Sequence, residues 1–208
     1  MFGADTITGG EYLIEGAPRQ HKLSVRRAIA EGVALVPEDR RKQGLVLTQP
    51  TRFNVSLGTL GAISGMGILN HKVEVQRTRE MVEHFGIVPA AVDGRVARYS
   101  GGNQQKVLLS KWAVAKPKLL ILDEPSRGVD IGARRRIHDF IVDMARQGVG
   151  VLLISSELEE VINLSHRCYL LSDGRIFAEE PAANLTVETA LHRVFLEQNS
   201  HRIQEVAS

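Results

Sequence analysis

The sequence predicts an α/β fold with a parallel sheet at its core, on three observations. Short apolar runs stand at Val33–Val36, Leu119–Leu122 and Gly150–Ile154, each closed by polar or turn-forming residues. Their length and boundaries make them buried strands. Segments with helical spacing of apolar residues separate them, and strands alternating with helices favour a parallel sheet joined by right-handed crossovers. Two of the runs end on polar side chains, Asp123 and Glu124 after one and Ser155 and Ser156 after the other. In such sheets ligands bind outside the carboxyl ends of the strands.

In chain order, Gly10–Gly16 reads as a strand with turns at both ends. Ser24 is placed to cap a short helix running to Ala30. Val33–Val36 is a strand stopped by Pro37, and Glu38-Asp39-Arg40-Arg41-Lys42 reads as a charged, solvated loop. His71–Phe85 is a helix whose apolar positions are Val75, Met81, Val82 and Phe85, ended by Gly86 with Pro89 beyond. The helix Asn103–Ala115 carries Leu108, Trp112 and Ala115 on one face, with Trp112 a core residue. Ala133–Arg146 is helical with Ile137, Phe140, Ile141 and Met144 inward. A short helix Leu158–Leu164 follows the last buried strand. Arg167–Leu171 and Ile176–Ala178 form a hairpin about the turn Ser172-Asp173-Gly174-Arg175. From Val187 onward the chain reads as one amphipathic helix and a polar tail, the tail beginning at 197. There is no internal repeat.

Composition narrows the function. At 208 residues and 43% hydrophobic the chain fits one domain with a sizeable core. A net charge of +2 is too small to argue for nucleic acid or an anionic membrane. The single cysteine, Cys168, cannot form an internal disulfide, which agrees with a reducing compartment. No run approaches the roughly twenty apolar residues of a membrane span, and the N-terminus lacks the basic region and apolar core of a signal peptide.

The chemistry concentrates between Arg98 and Gly132. In Tyr99-Ser100-Gly101-Gly102-Asn103-Gln104-Gln105, two glycines let the backbone turn sharply and approach a ligand. Ser100 is placed to cap the following helix, whose free N–H groups and dipole favour an anion such as phosphate. About twenty residues on, Leu119-Leu120-Ile121-Leu122-Asp123-Glu124-Pro125 is a strand closed by two carboxylates and a proline, followed directly by Ser126-Arg127-Gly128-Val129-Asp130.

At this point the chain resembles the nucleotide-binding subunits of ABC transporters. Ser100 to Gln105 matches the family's signature motif, Leu119 to Glu124 its Walker B strand, and Arg127 to Asp130 its D-loop. The wording Gly-Gly-Asn-Gln-Gln-Lys, with Arg-Gly-Val-Asp-Ile-Gly-Ala later, is most similar to the second nucleotide-binding half of tandem simple-sugar importers of the ribose, xylose and galactose type. The resemblance covers roughly Phe2 to Leu196. It implies a P-loop NTPase-like domain over 1–196, with a helical signature subdomain over about 45–116 that receives the coupling helices of a permease.

It also implies site residues. Asp123 would hold Mg²⁺ and Glu124 would act as general base toward water. Ser100, Gly101, Gly102, Asn103 and Gln104 would meet the phosphates of ATP across a dimer interface that Asp130 stabilises. Glu38 stands where the family has its Q-loop glutamine and brings a negative charge there. Ser156 stands where most members have a switch histidine, and serine donates a hydrogen bond but cannot be cationic. The implied partners are a second ABC ATPase half, a transmembrane permease and, indirectly, a sugar-binding protein, with no nucleic acid. The implied place is the inner face of the cytoplasmic membrane. The sequence contains no G-x-x-x-x-G-K-[ST] loop. Phe2-Gly3-Ala4-Asp5 resembles the segment just after the Walker A helix, so an N-terminally truncated domain is expected. By family architecture the missing strand would lie beside the one ending at Ser155.

Three functions stay open on sequence: an ATPase subunit of a sugar importer, a non-enzymatic half that donates its signature to a partner's ATP, and an ABC protein of translation or DNA repair. The last would be expected to carry long linkers or coiled-coil insertions, and none is seen.

Overall fold

The computed structural model describes residues 2–4, 9–11, 13–18, 24–65 and 68–206, in two compact units, Met1–Leu152 and Leu153–Ser208. The first unit is built on a parallel pair. Strand β3 (Val33–Val36) runs beside β6 (Leu119–Asp123), in register from Val33 opposite Leu119 to Val36 opposite Leu122. Strand β7 (Gly150–Ile154) pairs with the other side of β6. Leu120 and Leu122 are fully buried; each such side chain contributes about 1.5–3 kcal/mol. A small hairpin, β1 (Leu13–Ile14) with β2 (Ala17–Pro18), replaces the single strand expected over Gly10–Gly16. Glu15 and Gly16 both take positive φ, 53° and 74°, and turn the chain in two residues. Tyr12 lies outside the described residues. Helix α1 (Val25–Ala30) starts as read, with Ser24 Oγ accepting from the Arg27 amide at 3.3 Å. Its Ala28 packs with Ile14, Val33 and Ile121.

The charged stretch after β3 is not a plain loop. Asp39 accepts from the amides of Arg41 and Lys42, both at 3.1 Å, and starts a π-helical turn, Arg40–Gly44. Between Leu45 and Leu69 the chain forms α2 (Thr51–Ser56), a 3-10 segment (Leu57–Ile63) and a short hairpin of β4 (Ser64–Gly65) and β5 (Ile68–Leu69). Gly67 lies outside the described residues.

Helix α3 (His71–His84) follows, capped by Asn70. Its buried line is Glu74, Thr78 and Val82, with Phe85 just past its end, and Val75 and Met81 are only partly buried. Sequence hydropathy misses Glu74 because its charge is matched by residues distant in sequence. Glu74 accepts from Arg52 Nη1 at 3.0 Å and Ser56 Oγ at 2.9 Å, and lies 3.0 Å from His71 Nδ1.

Helix α4 (Gly101–Ala115) is buried on nearly every side, from Val107 to Trp112, rather than on the one face expected. Trp112 is core as read: its Nε1 donates to the Leu35 carbonyl at 2.8 Å and its ring meets Phe2 edge-on. Helix α5 (Ile131–Arg146) buries Ile137, Phe140, Ile141 and Met144, as expected.

The second unit holds α6 (Leu158–Leu164), the antiparallel pair β8 (Arg167–Ser172) and β9 (Arg175–Pro181), and α7 (Val187–Val206). Cys168, Ala182, Leu185 and Ala190 form its core. Strand β9 runs further than expected, to Pro181, and α7 continues past 197 into the stretch read as a tail. Strand β7 differs in another way. Read as fully buried, it exposes Leu152 (37%) and Ile154 (47%). An apolar run shows that a strand can be covered; it does not show that both of its faces are.

Candidate functional site at the carboxyl edge of the sheet

Because β3 and β6 are parallel and in register, the segments leaving them emerge on the same edge. After β3 come Glu38, Asp39 and the π turn; after β6 come Glu124 to Asp130. Helix α4 must finish near the start of β6, so its own start falls back at this edge. An added Cβ on Gly101 would lie 2.6 Å from Arg40 Nη2 and 3.4 Å from the Gly128 carbonyl oxygen. On Gly102 it would lie 3.0 Å from both Ala133 Cβ and Asp130 Oδ2. At both positions the absence of a side chain leaves room for protein neighbours, whereas the sequence reading assigns that room to a ligand.

Local chemistry sets the helix starts. Ser100 is extended (φ −60°, ψ 160°), and its Oγ accepts from the Asn103 amide at 3.4 Å and from Asn103 Nδ2 at 3.0 Å. Asn103 Oδ1 in turn accepts from the Val88 amide at 3.0 Å. Gln104 is buried and donates to the carbonyls of Val96 and Tyr99, both at 3.2 Å. Its amide is committed to the protein and holds the turn. Asp130 caps α5, its Oδ1 accepting from the Ala133 amide at 2.8 Å.

The acidic pair sits at the end of β6. Burial pushes the Asp123 carboxyl above its ordinary range, and the neighbouring Glu124 charge pushes it the same way. Glu124 has φ of 48°, in the left-handed region that non-glycine residues seldom occupy. Such conformations concentrate at functional sites.

Glu38 pairs with Arg127 Nη1, so its charge is met by the loop after β6. Arg40 Nη1 donates to the Arg127 carbonyl at 3.2 Å. A cleft of about 280 Å³ is lined by Glu38, Asp39, Arg40, Arg41 and Arg127. Sequence reasoning named Arg127 only as part of the D-loop and Arg40 only as part of a solvated loop, since nothing local distinguishes either from a solvated arginine. The one available signal was their setting, each just beyond the carboxyl end of a predicted parallel strand. Ser156 follows β7 in the second unit and is exposed, and Ser155 Oγ accepts from the Glu157 amide at 3.1 Å. Thus Glu38, Ser100 to Gly102 and Asp130 belong to one connected edge, with the acidic pair on the strand that supplies its loop.

The carboxyl edge of this parallel sheet thus carries a glycine-rich helix start and an acidic pair. Solved structures share this fold. The ATP-binding cassette MJ0796, in a dimeric post-hydrolysis state bound to ADP and Pi, superposes with a TM-score of 0.72 at 18% identity, over 87% of this chain and 77% of that one. The ADP conformation of the cassette MJ1267 gives 0.73 at 17% identity, over 93% and 79%. The family described as ABC transporter matches residues 1–127, and the chain belongs to that family.

Among curated relatives, it is 40% identical to the ribose import ATP-binding protein RbsA of Roseobacter denitrificans, over 91% of this chain and 37% of that protein. It is 43% identical to the L-arabinose transport ATP-binding protein AraG of Geobacillus stearothermophilus, over 79% and 32%. With the xylose import ATP-binding protein XylG of Geobacillus kaustophilus the identity is 44%, over 76% and 32%. The chain thus spans about a third of the length of these relatives. Among the described residues no helix is long and apolar enough to cross a membrane.

Proposed function

We propose that this chain is an ATP-binding part of an ABC importer for simple sugars, working with a second ATPase half and a transmembrane permease at the inner face of the cytoplasmic membrane. A sugar-binding protein would act indirectly, through the permease. The observation that carries this is the start of α4, where Ser100 caps the helix and its first two residues, Gly101 and Gly102, carry no side chain. The sugar-import names of relatives near 40% identity support the substrate class.

In this reading Ser100, Gly101 and Gly102 present N–H groups and the positive helix end to the phosphates of ATP held by the partner. Asn103 and Gln104 shape that turn, and Asp130 steadies the interface. Asp123 would hold Mg²⁺, which when bound offsets the charge of the phosphates. No cluster of three or more metal-ligating side chains occurs among the described residues, so the rest of the shell would come from phosphate oxygens and water. Glu124 takes the proton of the attacking water. Glu38, paired with Arg127, supplies no net negative charge to the site.

A second reading, a donor of the signature turn that hydrolyses nothing itself, is favoured by the lack of a G-x-x-x-x-G-K-[ST] loop in these 208 residues. One experiment addresses both. The chain is mixed with an ATPase half that carries its own phosphate-binding loop, and steady-state phosphate release is measured. Gly101→Asp places bulk and negative charge beside the triphosphate and is expected to abolish stimulation. Glu124→Gln is expected to leave most of it if the chain acts as donor alone, and to halve it or more if the chain also contributes a hydrolysing site. No effect of Gly101→Asp sinks both readings.

A further inference from the structure

Arg40 belongs to none of the motifs above, yet it stands where three of them meet. Its Nη1 donates to the Arg127 carbonyl at 3.2 Å, in the loop after β6. Its Nη2 lies 2.6 Å from where Gly101 would carry a Cβ, so the guanidinium rests against the backbone of the signature turn. Its own backbone opens the π turn that Asp39 caps. At the far end of that turn the Gly44 carbonyl accepts from Lys111 Nζ at 2.9 Å, and ahead of it the Leu35 carbonyl accepts from Trp112 Nε1 at 2.8 Å. Helix α4 therefore grips the segment 35–44 on both sides of Arg40, which fixes the arginine's backbone relative to the helix whose start its side chain touches.

The side chain is held at a cost. Its Nε is buried without a hydrogen bond, and burial, with Arg41 adding to it, lowers the pKa of the guanidinium. A half-buried arginine in such surroundings is retained where its planar fork does something a point charge cannot.

We propose that Arg40 is a positioning residue that braces the signature turn at Ser100–Gly102 against the loop Arg127–Asp130, holding the two at the spacing a phosphate-binding edge needs. The geometry is that of a wedge. One arm of the fork ties the loop through its carbonyl while the plane fills the space that Gly101 leaves open. A lysine has the charge but cannot occupy both places. The glycine at 101 thus serves two neighbours, the ligand in front and the arginine behind. The functional part of this proposal rests on the reading given above; the structural part does not.

The test uses the full chain and two variants, Arg40→Ala and Arg40→Lys. In the chain alone, hydrogen exchange of the Arg127 amide, bonded to the Glu124 carbonyl at 3.1 Å, and of the Ala133 amide reports the loop directly. Both variants are expected to raise exchange there about tenfold, consistent with local opening, and to leave α3 unchanged. In the mixture with an ATPase half, both are expected to lower kcat about tenfold with the KM for ATP changed less than about twofold, the pattern of an interaction made in the transition state. An Arg40→Lys protein with parental exchange and kcat overturns the brace, since charge alone would then suffice. If the parent fails to stimulate the partner, the functional reading falls, and the exchange data still decide the brace.

Discussion

Lys111 shows what a single residue costs and does. It sits on α4, 7% exposed, with its ammonium 4.6 Å from the Trp112 ring centroid and donating to the Gly44 carbonyl. Burial pushes its pKa down from 10.5 to about 8. Between those values the unfolded chain binds the proton and the folded chain does not, so stability rises with pH across that window. At 1.36 kcal/mol per unit the gain is about 3 kcal/mol. Lys111→Met removes the titration. Urea unfolding at a series of pH values from 7.5 to 10.5 should show the parent gaining on the variant as pH rises, and parallel curves would refute the assignment. Neither Lys111 nor Glu74 was legible in the sequence, for one reason. Whether a charged side chain is buried depends on partners far along the chain, 67 residues away for Gly44 and 22 for Arg52. Ser100 was legible because it serves an amide three residues on, within reach of a local rule; the cap that Asp130 makes has the same reach but was not read.

At the level of elements, strands β3 and β6 and helix α5 were read from periodicity, since an apolar run or stripe is a property of the segment itself. The π turn was not, because its cap competes with a loop of identical composition. The all-round burial of α4 was also hidden, as its lysines and glutamines look solvated until Gly44 and Val96 are in place. The contact between the starts of α4 and α5 yields a prediction. Gly102→Ala would gain up to about 1 kcal/mol of helix propensity. The new methyl, however, meets Ala133 Cβ and Asp130 Oδ2 at 3.0 Å each. Ala133 is anchored in a helix and Asp130 is held by its cap, so neither retreats cheaply. Overpacking costs about 1–3 kcal/mol, and the net should be a loss of about 1 kcal/mol in urea unfolding. Ala133→Gly in the same chain opens the space and should recover part of it, a coupling that neighbours show and distant sites do not. Purely additive effects would mean the two helix starts do not touch as described.

At the scale of the molecule, the sheet order places β6 between β3 and β7, so among the described strands β7 offers a free edge. On it Leu152 and Ile154 are 37% and 47% exposed. Natural edges are usually protected by lysine, proline, a bulge or a covering element; Gly150-Val151-Leu152-Leu153-Ile154 contains no lysine or proline. A net charge of +2 spread over 208 residues adds little repulsion between copies. An apolar, unprotected edge pairs with whatever strand it meets, and for a purified chain the commonest strand in solution is another copy. The 208-residue chain is therefore expected to self-associate at roughly micromolar concentrations and above, the range in which exposed edges aggregate. Ile154→Lys places a charge on that edge and should shift the sedimentation profile back toward monomer, while a lysine at Leu191, an exposed position on α7, should shift it far less. A parent that stays monomeric throughout, or an Ile154→Lys protein that associates just as strongly, would show that β7 is not the sticking edge.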